Sequence, residues 1–411
     1  MTTHTHSKAG ALSALLAGLT LAGQALAADW TGFRGPKGDG IAPGETLPAQ
    51  LDASMISWTA DLPGRGISTP VVVGRQVFVT ATTGARHDQL HVLCFDALDG
   101  SLRWRRQLWA TGRTQTHEKI SPATPSPASD GRRLFVIYSS NDCAAFDLEG
   151  NLLWFRGLGR DYPNASNSLG MSSSLVVVDG VVVAQVENDS ESFTAGLDAA
   201  TGANRWKIDR PKKANWTSPV VLKDAAGKKL VALQSAKGVA AVDPATGTVA
   251  WNYGDGASTV PSTTVAEGRL FVPSQGLTVL EPQGEGRPPR QAWRSGQLRP
   301  GTPSPVVVDG RVFILGDGGV LTCAASGDGA RQWQLRLKGP FSATPVVAGG
   351  LLYCVNEKGL VQVVDPSVKD GRVTSELDLG QPVVGTPAIA GGALYVRSDG
   401  KLWRVGSRPR Q

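Results

Sequence analysis

Residues 69–79 read TPVVVGRQVFV, and this stretch decides the fold because variants of it recur along the chain. Each copy begins with a short polar or Pro-containing segment, which is followed by two short apolar strands with a turn between them. Counting from Pro70, further copies start at Pro127, Leu175, Pro219, Thr263, Pro305, Pro345 and Pro387. The spacings are 57, 48, 44, 44, 42, 40 and 42 residues. Such spacings are typical of the four-stranded blades of a β-propeller and too long for most solenoid turns.

A turn motif of the form Asp-x-x-(x)-Gly, followed by Trp, completes the repeat. It is found from Asp96 to Trp104, Asp147 to Trp154, Asp198 to Trp206 and Asp243 to Trp251, and the Trp series continues at Trp293 and Trp333. An Asp side chain accepts hydrogen bonds from the turn backbone and Gly permits a positive φ, so the motif predicts a tight turn between strands three and four. The Trp side chains are predicted to pack between blades, with stacking on a cofactor as the alternative.

The eighth repeat has no fourth strand of its own, because the chain runs out after Leu402 to Val405. Ser57 to Leu62 stands before the first repeat and has the character of a fourth strand. A propeller ring has no free edges only when its ends pair. The sequence therefore predicts an all-β, eight-bladed propeller over residues 57–405, closed by Trp58. Residues 28–56 are predicted to form an arm on the propeller, and residues 406–411 a C-terminal tail.

The composition agrees with many short strands and turns. Of 411 residues, 50 are Gly and 26 are Pro, while charged residues make up only 18%, which disfavours long helical bundles. The net charge of +6 arises from 41 basic and 35 acidic residues without a basic block. We therefore expect no nucleic-acid partner.

Residues 1–27 have the pattern of a signal peptide. Lys8 precedes an apolar stretch from Ala9 to Gly23, and Ala25-Leu26-Ala27 supplies the small residues that a signal peptidase accepts. We expect cleavage before Ala28 and a location in the periplasm or outside the cell, with an uncleaved membrane anchor as the alternative. No Cys stands near the cleavage site and no later apolar run is long enough for a transmembrane helix, so neither lipid attachment nor a membrane span is expected.

The Asp-to-Trp segments and the Thr/Ser-Pro-Val-Val openings resemble the repeat of the PQQ-like (pyrroloquinoline-quinone-like) eight-bladed propellers. That family includes PQQ-dependent alcohol dehydrogenases, the outer-membrane protein assembly factor BamB and exported propellers without an assigned activity. Residues 30–36, WTGFRGP, are similar to the start of the last group. The resemblance implies either a binding scaffold of the BamB type or a PQQ-dependent oxidoreductase assisted by Ca²⁺.

The residues of this chain favour the binding scaffold over the PQQ-dependent oxidoreductase. The resemblance implies that a PQQ alcohol dehydrogenase has adjacent Cys residues, a carboxylate base and Ca²⁺ ligands, but Cys94, Cys143, Cys323 and Cys354 include no adjacent pair. No haem-attachment motif occurs in the chain. We therefore expect no cofactor and no metal, with PQQ and Ca²⁺ as the alternative. The Cys residues are expected to be buried free thiols, with disulfides between adjacent blades as the alternative.

Loop length is uneven around the predicted ring. On the face where strand two leads to strand three and each blade leads to the next, blades one to four carry long loops and blades five to eight short turns. Long loops on a rigid scaffold favour binding, so we expect this face to bind a periplasmic or outer-membrane protein, or a glycan; neutral insertion is the alternative. The candidate binding residues are His117, Lys119, Arg160, Asp161, Tyr162, Asn164, Asn167, Glu187, Asn188, Lys213, Asn215 and Trp216. The acidic turn at Glu187 to Asp189 is expected to be solvated, with Ca²⁺ binding as the alternative.

Overall fold

The computed structural model describes residues 1–2, 29–165, 169–284 and 286–407, which form 32 strands in eight four-stranded antiparallel sheets. Seven sheets are meanders whose strands follow chain order, and in the eighth the first strand of the chain joins the last. The sheets are the blades of a ring. The predicted eight-bladed propeller, closed by an N-terminal strand, is therefore confirmed.

The strand bounds, blade by blade, are as follows. Blade 1 contains β2 (Val71–Val73), β3 (Gln76–Thr83), β4 (Gln89–Asp96) and β5 (Leu102–Trp109). Blade 2 contains β6 (Ala128–Ser129), β7 (Arg133–Ile137), β8 (Asp142–Asp147) and β9 (Leu152–Gly157). Blade 3 contains β10 (Val176–Val178), β11 (Val181–Val186), β12 (Phe193–Asp198) and β13 (Asn204–Asp209). Blade 4 contains β14 (Val220–Lys223), β15 (Lys229–Ser235), β16 (Gly238–Val242) and β17 (Val249–Tyr253).

The second half of the ring repeats this plan. Blade 5 contains β18 (Thr264–Ala266), β19 (Arg269–Ser274), β20 (Gly276–Glu281) and β21 (Arg290–Ser295). Blade 6 contains β22 (Val306–Val308), β23 (Arg311–Leu315), β24 (Val320–Ala325) and β25 (Arg331–Arg336). Blade 7 contains β26 (Val346–Ala348), β27 (Leu351–Val355), β28 (Leu360–Asp365) and β29 (Arg372–Asp378). Blade 8 contains β30 (Ala388–Ala390), β31 (Ala393–Arg397), β32 (Lys401–Gly406) and β1 (Ile56–Asp61).

Helical structure is limited to a 3₁₀ turn, Ala53–Met55, and one short helix, α1 (Leu158–Asp161), in the part of the chain that the structure describes. None of the described helices has the length and apolar character needed to cross a membrane.

Burial differs between the inner and outer strands of a blade. In blade 1, β3 and β4 are buried along almost their whole length, whereas every second residue of β5 is exposed. Strands in the middle of a blade are covered on both faces by neighbouring blades and therefore consist of continuous apolar runs. The outermost strand is exposed to solvent at its edge, so its sequence alternates.

The blade interfaces use the Trp residues of the repeat. Six of the seven Trp rings in the series pack on the turn Gly of the next blade, and Trp251 is the exception. The pairs are Trp58 on Gly100, Trp104 on Gly150, Trp154 on Gly202, Trp206 on Gly247, Trp293 on Gly329 and Trp333 on Gly371. At Gly100, φ is +74° and an added Cβ would lie 2.6 Å from the Trp58 ring. Both the positive φ and this close approach require Gly. These Trp residues therefore join blades, as predicted.

The ring is closed by antiparallel pairing of β1 with β32, in which Trp58 lies opposite Arg404 and Ala60 opposite Leu402. The Trp58 side chain is 7% exposed, and its Nε1 donates a hydrogen bond to the Ala97 carbonyl of blade 1 at 3.0 Å. The closing strand begins one residue earlier than the predicted stretch. The first and last blades are thus joined by main-chain bonds and by a buried indole.

Residues 29–55 lie across the face of the ring that carries the turns between strands one and two. Trp30 is fully buried and exchanges backbone hydrogen bonds with Val72 of blade 1, both at 2.9 Å. Glu45 accepts hydrogen bonds from the backbone N–H groups of Gly391 and Gly392 in blade 8. The segment therefore connects blades that are distant in the sequence.

All four Cys residues are buried and free in the structure. Burial raises the pKa of the Cys94, Cys143 and Cys354 thiols to about 12 and that of Cys323 to about 11. Thiols in such surroundings stay protonated and unreactive at neutral pH.

Candidate functional site

The loop face is defined here as the face where strand two leads to strand three and each blade leads to the next. Its longest links are residues 110–127, from blade 1 to blade 2, and 158–175, from blade 2 to blade 3. The link 210–219, from blade 3 to blade 4, is no longer than the link 296–305 between blades 5 and 6. The loop asymmetry predicted over blades 1 to 4 is therefore strongest in the links that join blades 1, 2 and 3.

A buried polar network fixes the links of blades 3 and 4. The Arg210 guanidinium donates to Glu187 Oε1 at 2.6 Å, and these side chains are 6% and 0% exposed. Asn215 Nδ2 donates to Glu187 Oε2 at 2.9 Å and to the Gln234 carbonyl at 2.7 Å. Burial raises the pKa of Glu187, and the Arg210 charge opposes that rise. Because a buried ion pair that loses one partner is strongly destabilising, this network holds the loops in one conformation.

The link after blade 2 is fixed by an aromatic contact. The Tyr162 ring centroid lies 4.5 Å from that of Phe193, and the Lys207 ammonium lies 4.9 Å from the Tyr162 centroid. The Tyr162 hydroxyl accepts a hydrogen bond from Asn204 Nδ2 at 2.7 Å. Asp161 forms an ion pair with Arg156. The Tyr162 contacts hold the end of α1 against blade 3, and the Asp161–Arg156 pair joins α1 to β9 of blade 2.

A cavity of about 400 Å³ lies at the centre of the ring and extends to the loop face. Its rim includes His117, Lys119, Leu169, Trp216 and Val260, and all of these except Trp216 are exposed. The Trp216 indole Nε1 donates to the Gly170 carbonyl at 2.9 Å, which holds the ring at the cavity edge. The rim therefore combines apolar surface with two basic side chains.

The N-terminal segment forms the floor of this cavity. Phe33 lines both the central cavity and a smaller one of about 80 Å³, so it lies between them. Next to it, Arg34 is 1% exposed and donates hydrogen bonds to Thr264 Oγ1 at 2.7 Å and to the Thr263 carbonyl at 2.8 Å. The side chains of residues 33 and 34 thus reach the channel wall from the side opposite the loop face.

The wall carries one hydroxyl side chain from each blade, which we call the hydroxyl belt. Its members are Thr69, Ser126, Ser174, Ser218, Ser262, Ser304, Thr344 and Thr386. The backbone N–H of each of the first seven donates to the side-chain oxygen of the next, at 2.9 to 3.1 Å. The belt residues stand just before the repeat openings, so the sequence contained their signal. Sequence reasoning used that position only to count blades.

The predicted site residues divide into three groups. His117, Lys119 and Trp216 line the central cavity. Glu187, Asn188 and Asn215 are buried and support the loops, while Arg160, Asp161, Tyr162, Asn164 and Lys213 lie away from the cavity. Asn167 lies outside the described residues. Most of the cavity wall, including Phe33 and the belt, is absent from the prediction.

The described residues of the cavity lining do not supply the donor set of a Ca²⁺ and PQQ site. Among the described residues that line it, none carries a carboxylate. In the same described chain, no group of three or more His, Cys, Asp or Glu side chains is placed to hold a metal ion. Ca²⁺ takes six to eight oxygen ligands, usually including carboxylates, so Ser and Thr hydroxyls alone fit it poorly.

The fold has well-matched counterparts among solved structures. BamB from Moraxella catarrhalis superposes with a TM-score of 0.60 at 16% identity, covering 86% of this chain and 97% of that chain. A europium-containing methanol dehydrogenase superposes with a TM-score of 0.69 at 13% identity, covering 92% and 98%. The quinohemoprotein alcohol dehydrogenase of Comamonas testosteroni gives 0.66 at 14% identity, covering 93% and 81%. At these identities the likeness concerns the fold alone.

Two sequence comparisons identify a related enzyme and the family. The polyvinylalcohol dehydrogenase of Sphingopyxis sp. (strain 113P3) is 27% identical over an alignment of 261 residues that covers 51% of this chain. The match spans only 38% of that dehydrogenase. The family model described as outer membrane protein assembly factor BamB matches residues 49–189, 164–287 and 287–374, most of the propeller. The chain therefore belongs to the PQQ-like β-propeller family that this BamB model describes.

Proposed function

We propose that the chain is an exported, non-catalytic scaffold that binds a protein or glycan partner through the loop face of blades 1 to 4. The observation that carries the proposal is the way those loops are built. The Tyr162–Phe193 contact and the buried Glu187–Arg210 pair fix the links that follow blades 2 and 3. Lys213 is exposed on the second of these links, and His117 and Lys119 are exposed on the link that follows blade 1. A surface that is rigid before binding loses less conformational entropy when a partner docks.

The proposed location is the periplasm or the exterior. The signal pattern of residues 1–27 supports export, and the description of the matching family model refers to outer-membrane protein assembly. Mass analysis of the exported protein is expected to find Ala28 at the N-terminus. An intact Met1 in that fraction would contradict cleavage.

Partner capture tests the binding role. The charge-reversal variant with Lys119→Glu and Lys213→Glu is expected to lose most of the periplasmic proteins or glycans that the wild-type column retains. Reversing two exposed charges usually changes stability by less than about 0.5 kcal/mol each, so the ring should remain folded.

The matched control reverses two exposed charges on the opposite face, with Lys223→Glu and Lys369→Glu. It introduces the same change in net charge and is expected to retain the partner. Equal capture by both double variants, at equal folded fraction, would remove the loop-face proposal.

The runner-up function is a PQQ-dependent alcohol oxidoreductase. The names of the similar methanol, alcohol and polyvinylalcohol dehydrogenases favour it, while the lining without carboxylates disfavours it. Equilibrium titration of purified protein with PQQ and Ca²⁺ separates the two proposals. Saturable, Ca²⁺-dependent binding accompanied by dye-linked alcohol oxidation would replace the scaffold with the enzyme.

A further inference from the structure

The hydroxyl belt carries O–H groups that have no acceptor among the described residues. Each of the seven belt oxygens from Ser126 to Thr386 accepts a backbone N–H, but none donates to another described residue. Thr69 Oγ1 is buried without any hydrogen-bond partner among the described residues. A hydroxyl that already accepts one bond is polarised and donates more strongly. The belt is therefore a ring of donors directed at whatever fills the cavity.

Three other hydroxyls of the cavity donate hydrogen bonds within the protein. Thr124 Oγ1 donates to the Ser121 carbonyl at 2.7 Å, and Ser172 Oγ donates to the Trp216 carbonyl at 3.3 Å. Ser342 Oγ donates to Glu357 Oε1 at 2.6 Å. These hydrogens are already used within the protein. Apart from the exposed Thr302, the cavity-lining hydroxyls whose hydrogens are unused among the described residues are those of the belt.

Two buried guanidinium groups stand behind the belt. Arg34 bonds to Thr263 and Thr264, which follow the belt residue Ser262. Arg397, also 1% exposed, donates to the Thr80 carbonyl at 2.6 Å and to Ser68 Oγ at 3.2 Å, one residue before Thr69.

Both groups keep their positive charge at neutral pH. Burial lowers the pKa of each to about 10, and nearby Asp39 and Asp399 oppose this lowering. In the described chain neither arginine forms an ion pair with a carboxylate, and Arg34 Nε and Arg397 Nη2 have no partner. Asp39 and Asp399 offset the cost of burying these cations only from beyond ion-pair distance, and an anion in the channel would reduce that cost further.

Apolar side chains surround much of the cavity opening. Ile120, Leu169, Trp216 and Val260 lie around the opening, and Phe33 forms the floor. At the rim, Lys119 is paired with Glu357 at 3.4 Å, so the two charges offset each other. A ligand that fits this arrangement has an acceptor-rich anionic head and an apolar body.

We infer that the central cavity binds a small amphipathic organic acid. Its carboxylate accepts hydrogen bonds from the belt hydroxyls, and its hydrocarbon body contacts the apolar side chains at the opening. Charge-assisted hydrogen bonds are about twice as strong as neutral ones, which favours the acid over the corresponding alcohol. This site lies inside the channel and does not depend on partner capture at the loop face.

Calorimetric titration with octanoate, octan-1-ol and octylamine at low salt tests the inference. Octanoate is expected to bind saturably with one site, the alcohol at least tenfold more weakly, and the amine not at all. The octanoate affinity should fall as salt is added, since the attraction is partly ionic. Equal affinity for acid and alcohol, or no octanoate binding at millimolar concentration, would overturn the inference.

A matched pair of substitutions tests the belt itself. Thr69→Val removes a buried hydroxyl that has no partner in the described part of the chain, so it breaks none of the hydrogen bonds observed there and keeps the side-chain shape. Thr194→Val does the same in blade 3, away from the cavity, where Thr194 Oγ1 is also buried and without a partner. Thr69→Val is expected to weaken octanoate binding about tenfold and Thr194→Val to leave it unchanged. Equal affinities in the two variants would show that the belt does not hold the carboxylate.

Discussion

Replacing Trp58 by Ala tests how the ring is held closed. The Trp58 side chain is 7% exposed, its ring packs on Gly100, and its Nε1 bonds to the Ala97 carbonyl at 3.0 Å. Truncating a buried Trp to Ala typically costs about 3 to 5 kcal/mol, because it removes apolar contacts and leaves a cavity. Loss of the hydrogen bond contributes about 1 kcal/mol within that range. We expect Trp58→Ala to lower the free energy of unfolding by about 3 to 5 kcal/mol.

Urea denaturation followed by tryptophan fluorescence and circular dichroism measures this change. The matched control is Trp109→Ala, because Trp109 ends β5 and is 60% exposed. An exposed substitution of this kind usually changes stability by less than about 0.5 kcal/mol. If the two variants unfold at the same urea concentration, the contact between blades 8 and 1 does not hold the ring closed, and the reasoning from Trp58 fails.

Three further predictions concern the turns and the thiols. Gly100→Ala is expected to destabilise the ring more than Gly131→Ala in denaturant titrations. Both positions have positive φ, but only the methyl group at position 100 would clash, at 2.6 Å from Trp58. Equal shifts of the two unfolding midpoints would contradict the packing argument. Hydrogen bonds from Arg205 and the turn backbone lower the pKa of Asp198 to about 2, so its stabilising contribution is complete above the unfolded pKa of about 4 and is lost as the pH falls toward 2. The stability difference between wild type and Asp198→Asn should therefore shrink between pH 6 and pH 3, and a difference independent of pH would be inconsistent with this pairing. Iodoacetamide at pH 8 is expected to modify all four Cys residues in urea and none in the native protein, as measured by mass spectrometry. Modification of Cys94, Cys143, Cys323 or Cys354 in the native protein at the rate observed in urea would refute their burial.

The sequence predicted the positions of the long loops better than it predicted which loop residues are exposed. It placed candidate residues on the correct links, but Glu187, Asn188 and Asn215 proved to be buried. A polar residue in a long loop is equally compatible with solvent and with a buried network. Whether such a residue is exposed or buried depends on its partners, here Arg210 and Gln234, which come from other strands and links. Local sequence carries no signal for such pairings.

What the sequence by itself determined is the ring. Each blade is a meander of consecutive strands, so its turns, its Gly and its Trp recur at a nearly constant spacing and can be read locally. Only the tertiary structure determined which residues meet at the centre of the ring. The belt forms because eight residues, one from each repeat, converge when the ring closes, and Phe33 reaches the same cavity from the N-terminal segment. These contacts join residues up to hundreds of positions apart, and local propensity does not specify which of them meet.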